Sequence, residues 1–199
     1  MKKFRLLLTM PLLVLLAACI AMAKVGPGAV AVKDLAFTLD GPWNKLEGGG
    51  QIVFPRAPGA TEIWTREGFA LDVLAFYAGI AENEPIGTAL ARSQKKVPMY
   101  RARMTPHEIV EAFESVVTQD GSAFTMGKLE PARFGGGEGF RFEYTLRRKQ
   151  DSLVFSGLGY GTIANRKLYL MTFDAPRTHY YPKLLPGIEA VARSSNIKR

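Results

Sequence analysis

The chain has 199 residues, 47% apolar and 22% charged, a length that suits one compact domain and shows no internal repeat. Its single cysteine excludes an intrachain disulfide, and its two histidines leave any histidine-based triad only two candidates. The net charge of +8 becomes +5 once residues 1–18 are set aside, since these hold Lys2, Lys3 and Arg5 and no acid; this bears on solubility and partners, not on fold.

The basic start is followed by an apolar run over 6–16, broken only by Thr9 and Pro11. That is the length of a signal core and falls short of the ~20 residues a membrane-spanning helix needs. Leu16-Ala17-Ala18-Cys19 resembles the lipobox of bacterial lipoproteins. The resemblance implies a signal peptide over 1–18, cleavage between Ala18 and Cys19, and a diacylglyceryl group on the Cys19 sulfur. Each buried CH₂ contributes ~0.8 kcal/mol, so two or three acyl chains would anchor the protein stably. Ile20, where an Asp would retain the protein at the inner membrane, points by the same resemblance to the outer membrane, facing the periplasm.

Small residues, Gly and Pro over 20–32 read as a flexible tether, so that 19–33 is lipidated cysteine plus tether and 34–199 a single globular domain. Leu35, Phe37 and Leu39 alternate as in a strand before Gly41-Pro42-Trp43-Asn44 turns the chain. Gly48-Gly49-Gly50 is a break, and short strands follow at 51–54 and 61–66. Residues 69–80 suit either a strand or a buried helix, with length and flanking glycines favouring the strand. A basic stretch without clear period runs over 88–103. The clearest helix covers 105–117, with Thr105 as N-cap, Pro106 in the first turn, Glu108 closing a capping box, and Ile109, Ala112, Phe113, Val116 and Val117 on one face. After the glycines of 135–139, Phe140, Phe142, Tyr144 and Leu146 alternate with polar residues in the strongest strand signal. A second strand runs from Ser152 to about Ile163, Asn165-Arg166 turns, and a third strand over 167–174 is apolar on both faces. A final helix over 178–195 packs through Leu184, Leu185, Ile188, Val191 and Ala192; Pro182 and Pro186 allow its start to fall as late as 185.

This order describes an α+β fold, an antiparallel sheet flanked by helices. The run from Gly139 to Ile197, with its GFRFEY strand, KLYLMTFDAP strand and closing helix, resembles the second half of PsbP/Mog1-like α/β/α sandwich proteins. The tracts TEIWTREGFALDVLAFYAGI and GFRFEY also resemble a group of small proteobacterial lipoproteins. The resemblance implies the fold and, by analogy with assembly factors and adaptors of that fold, a non-enzymatic role.

Motifs of chemistry are sparse. There is no Gly-x-Ser-x-Gly elbow, and Ser156-Gly157 falls inside a strand. His107 and Glu111 share a helix face at ligand spacing but lack further ligands in any short motif, so no metal is expected. The glycines of 135–139 precede a strand, which removes the helix N-terminus a phosphate cradle needs, and no cofactor is expected. Gly157, Gly159 and Gly161 alternate on one strand face, as they do where a helix or an aromatic ring approaches a sheet closely. Charge remains: Arg92, Lys95, Lys96, Arg101 and Arg103 form a run without acids and are the candidate sites for an anionic partner, with Arg147, Arg148 and Lys149 as a second cluster.

Three functions follow as expectations. The first is a membrane-anchored, non-enzymatic accessory module of the cell envelope, held at the membrane by the lipid on Cys19, docking on an envelope protein and not on nucleic acid. The second is a small-ligand or lipid carrier with a cleft lined by aromatics such as Tyr77, Tyr160, Tyr169 and Phe173. The third is an envelope enzyme built on His179 with Tyr180 and Tyr181.

Overall fold

The computed structural model describes residues 21–48, 55–91, 93 and 96–198. Cys19, the signal segment and the strand expected at 51–54 lie outside the described residues. The first departure from expectation comes at once. The segment read as a tether holds two strands, β1 (Met22–Val25) and β2 (Gly28–Val32). Lys33, with φ of 53°, reverses the chain after β2 so that it pairs with β3 (Leu35–Leu39) from Gly28↔Leu39 to Val32↔Leu35. Val32 is fully buried there. The turn expected at 41–44 is shorter than read, because Trp43 and Asn44 already belong to β4 (Trp43–Leu46), which pairs with β1.

β5 (Glu62–Thr65) and β6 (Val73–Ile80) form a hairpin, and the ambiguous tract 69–80 is thus a strand over most of its length. Helix α1 (Pro106–Val117) carries the expected capping box. Thr105 Oγ1 accepts from Glu108 N at 3.3 Å, and Glu108 Oε2 accepts from Thr105 N at 2.7 Å.

Four long strands follow: β7 (Ala123–Phe134), β8 (Gly137–Arg147), β9 (Val154–Ala164) and β10 (Lys167–Pro176). β7 was not foreseen. Gly135 and Gly136, both with positive φ, turn β7 into β8, and Asn165 and Arg166 do the same between β9 and β10. Helix α2 (Tyr180–Ser194) starts five residues before 185 and contains Pro186. Pro182 falls in its first turn, where an N–H has no helical acceptor to lose. Pro186 is tolerated because Leu184, Ile188, Val191 and Ala192 are buried on the inner face. A short β11 (Asn196–Ile197) closes the chain on β3.

The strands form one eight-stranded sheet, ordered β1-β4-β5-β6-β10-β9-β8-β7 with every pair antiparallel, and a three-stranded sheet β11-β3-β2. Strand alternation sends side chains to two cores. On one face Leu74, Phe76, Tyr169, Met171 and Phe173 pack with α2 and the small sheet. On the other Val73, Tyr77, Phe140, Phe142 and Tyr144 pack with α1. β7 is an open edge, and it carries a register shift between Met126 and Leu129, with Lys128 inside it and Pro131 beyond, features that discourage pairing with another chain.

The glycine stripe of β9 does what its spacing suggested. Phe140, Phe142 and Tyr144 stand opposite Gly161, Gly159 and Gly157, and a Cβ on those glycines would lie 2.1–2.2 Å from the three rings. The missing side chains make room for the rings. Phe113 of α1 then meets Tyr77, Phe142, Tyr144 and Phe124 edge-on, with centroids 5.7–6.2 Å apart. Each such pair contributes about 0.5–1.5 kcal/mol beyond its buried area.

Candidate functional site

A broad concavity lies beyond the C-terminal end of α1, where the β5–β6 turn, the end of β8 and residues 118–122 converge. It is a cleft of about 710 Å³ lined by Pro55, Arg56, Phe69, Ala70, Leu90, Val117, Asp120, Ser122, Leu146, Arg148, Lys149 and Gln150. Its walls are mostly apolar and its charges mostly positive.

Two arginines meet over one ring. The Arg56 guanidinium carbon lies 4.4 Å from the centroid of buried Phe155, and that of Arg148 5.2 Å from it. Arg148 is held from outside by Asp151, through Nε to Oδ1 at 2.9 Å and Nη2 to Oδ2 at 2.5 Å. Arg56 is 7% exposed, and its Nη1 donates to Ala70 O at 3.3 Å. Its Nε lies 3.1 Å from Asp174 Oδ1, at ion-pair distance but off the line a hydrogen bond needs. Arg56 Nε and Nη2 and Asp174 Oδ1 are therefore buried without a hydrogen-bond partner among the described residues.

Asp174 comes from the strand that is apolar on both faces. Burial pushes its carboxyl up to about 6; Arg56 pulls it back, buried Asp72 raises it further, and Arg148 lowers it. Asp72 itself is satisfied, accepting from Thr65 Oγ1, Arg66 N and Glu67 N at 2.7–2.8 Å and so fixing the β5–β6 turn. Tyr77 and Tyr144 lie near Asp174, and burial raises both hydroxyls far above the ordinary phenol range. The arrangement is a buried acid–base pair beneath a cationic, apolar-walled cleft.

The sequence-derived candidates are distributed differently. Arg92 and Lys95 lie outside the described residues. Lys96, Arg101 and Arg103 are exposed on a loop pinned by buried Tyr100, whose N–H donates to Glu84 O at 2.8 Å, and none of the three lines the cleft. Of the second cluster, Arg148 and Lys149 do line it. The proposed aromatic lining is split: Tyr160, Tyr169 and Phe173 pack into the α2-side core and Tyr77 into the α1-side core, so they form no common cleft. His107 pairs with Glu111 at 3.4 Å on an exposed face. His179 is exposed and meets Tyr180 edge-on at 4.9 Å, while Tyr181 turns inward onto Phe173. Among the described residues no three His, Cys, Asp or Glu side chains group as metal ligands, and no helix is long and apolar enough to cross a membrane. Arg56 and Asp174 were missed by sequence reasoning; the signal available was an acid inside an otherwise apolar buried strand.

No protein-family model and no curated protein sequence matches the chain. The solution structure of cyanobacterial PsbP (CyanoP) from Synechocystis sp. PCC 6803 is similar to it, with a TM-score of 0.56, 13% identity, and coverage of 92% of this chain and 95% of that one. The fold is PsbP-like.

Proposed function

We propose that this chain is a lipid-anchored, non-enzymatic accessory module of the bacterial cell envelope, of the kind found among small proteobacterial lipoproteins. In this reading the signal is cut between Ala18 and Cys19, the acyl chains on Cys19 hold the domain at the outer membrane facing the periplasm, and the domain docks on an envelope protein. In the same reading the architecture is an α/β/α sandwich of the PsbP/Mog1-like type, and the helices and small sheet packed on the main sheet support it. The observation that carries the reading is the closeness of the lipobox-like cysteine to the fold. β1 begins at Met22, so Cys19 stands at most about 11 Å of extended chain from the sheet. An anchor there holds a rigid domain against the bilayer surface, the position of an adaptor on a membrane complex. The exposed bases Lys96, Arg101 and Arg103, with Arg92 and Lys95, suit an acidic partner surface.

The test compares the full chain with Cys19→Ser in cells. Wild-type protein is expected in the outer-membrane fraction, labelled by radioactive palmitate and crosslinked to one envelope protein, and the variant is expected to lose the label, the fractionation and the crosslink. An unlabelled wild-type protein that fractionates like the variant overturns the anchoring, and a labelled protein without a crosslinked partner overturns the docking. A second reading, a small-ligand or lipid carrier, is favoured by the cleft at Arg56.

A further inference from the structure

We propose that the cleft beside Arg56, Arg148 and Lys149 is a binding site for a single-chain amphiphile with an anionic head, a carboxylate or a phosphate. The site stands independently of the anchoring at Cys19. Its volume of about 710 Å³ lies within the about 300–1,000 Å³ typical of small-molecule sites. Phe69, Leu90, Val117 and Leu146 supply walls for an apolar chain, and the cations supply the rim.

The charges around the rim decide the sign of the head group. Asp120 is the one acid lining the cleft, its oxygens accepting from Ser122 N at 2.8 Å and Oγ at 2.9 Å, against the three bases Arg56, Arg148 and Lys149. Asp151 is committed to Arg148. Lys149 is exposed and makes no ion pair among the described residues. The end of α1 would oppose an anion through its free carbonyls. Part of that opposition is removed: Glu114 O accepts from Thr118 N and Oγ1, and Val116 O from Gln119 Nε2 at 3.0 Å. Arg56, although paired with Asp174 at 3.1 Å, keeps a buried Nη2 without a hydrogen-bond partner among the described residues, and an anionic head at the mouth would supply one. Guanidinium groups also match carboxylate and phosphate geometry better than a point charge does.

Calorimetric titration of the full chain carrying Cys19→Ser, which has no acyl group of its own, tests the site with dodecanoate and dodecyl phosphate below their micellar concentrations. Binding tighter than about 500 µM is expected for both, and dodecanol and dodecyltrimethylammonium are expected at least about tenfold weaker. Ala70 and Lys149 are exposed, so Ala70→Trp, which fills the mouth, and Lys149→Glu, which inverts a rim charge, leave the fold intact by circular dichroism. Each is expected to weaken dodecanoate by at least about fivefold. Equal affinity for the cationic amphiphile, or an unchanged affinity in both variants, overturns the proposal. So does binding to phosphatidylglycerol vesicles without binding to dodecanoate, which would make the basic rim a membrane contact. A palmitate-labelled, partner-crosslinked protein that takes no dodecanoate leaves the proposed adaptor role standing and removes this site alone.

Discussion

The ring of Phe142 occupies the space above Gly159, its cross-strand partner, where a Cβ would lie 2.2 Å from two ring carbons. A methyl group there has to push the ring toward Phe113, whose own ring is 5.8 Å away by centroid. Gly159→Ala is expected to lower unfolding free energy by about 2–3 kcal/mol in urea titrations. In a Phe142→Ala background the same substitution should cost far less, because the clash is gone, and additive losses would show that the pair does not interact in this way.

The α1 start offers a cleaner measurement. Thr105→Ala removes one half of the capping box and is expected to cost about 1 kcal/mol. The Glu108 carboxyl, held below its ordinary value chiefly by its bonds from the Thr105 backbone and hydroxyl, should titrate higher in the variant by NMR. An unchanged Glu108 titration would mean that the box does not persist in solution.

Asp174 makes stability depend on pH in the opposite sense to most carboxylates. Its folded-state pKa of about 6 lies above the ordinary 3.8, so between those values the folded chain holds a proton that the unfolded chain releases. The contribution is fully present below about pH 4 and is lost as pH rises through about 6. A shift of this size corresponds to a change on the order of 2–3 kcal/mol. The difference in unfolding free energy between wild type and Asp174→Asn should therefore fall across pH 4–6 and level off above. A flat difference would place the proton elsewhere.

The segment read as a tether is expected to behave as part of the fold. A chain beginning at Ala21 should melt like the full-length protein. One beginning at Asp34 loses β1, β2 and the fully buried Val32, and is expected to be weaker by about 3 kcal/mol or more, about 10 °C in melting temperature. Equal melting temperatures would return 22–32 to the role of a linker.

What could be read from the sequence follows from how far each signal extends along it. The capped helix, the three strands after Gly139 and the ring-accommodating glycines are written in neighbouring residues, and all are in the structure. β7 was invisible because its register shift between Met126 and Leu129 breaks the period-two alternation midway. β1 and β2 were hidden by small side chains that look like a linker until their partners on β4 and β3 are known. The Arg56–Asp174 pair joins a loop residue to a strand far along the chain, and no local pattern announces such a contact. Of the loop bases, prominent in sequence, Lys96, Arg101 and Arg103 proved separate from the cleft.

The position of β1 has a mechanical consequence. Tension applied at the N-terminus enters the domain along the axis of an outer strand whose ladder contact is with β4 over four residue pairs, from Met22↔Leu46 to Val25↔Trp43. Loaded lengthwise, those pairs share the force and resist as a group, whereas a pull across the strand would open them one at a time. β1 is thus the fuse of the molecule. Under sustained traction it detaches first, leaving β4 as the new margin and withdrawing Val25 from the α2-side core.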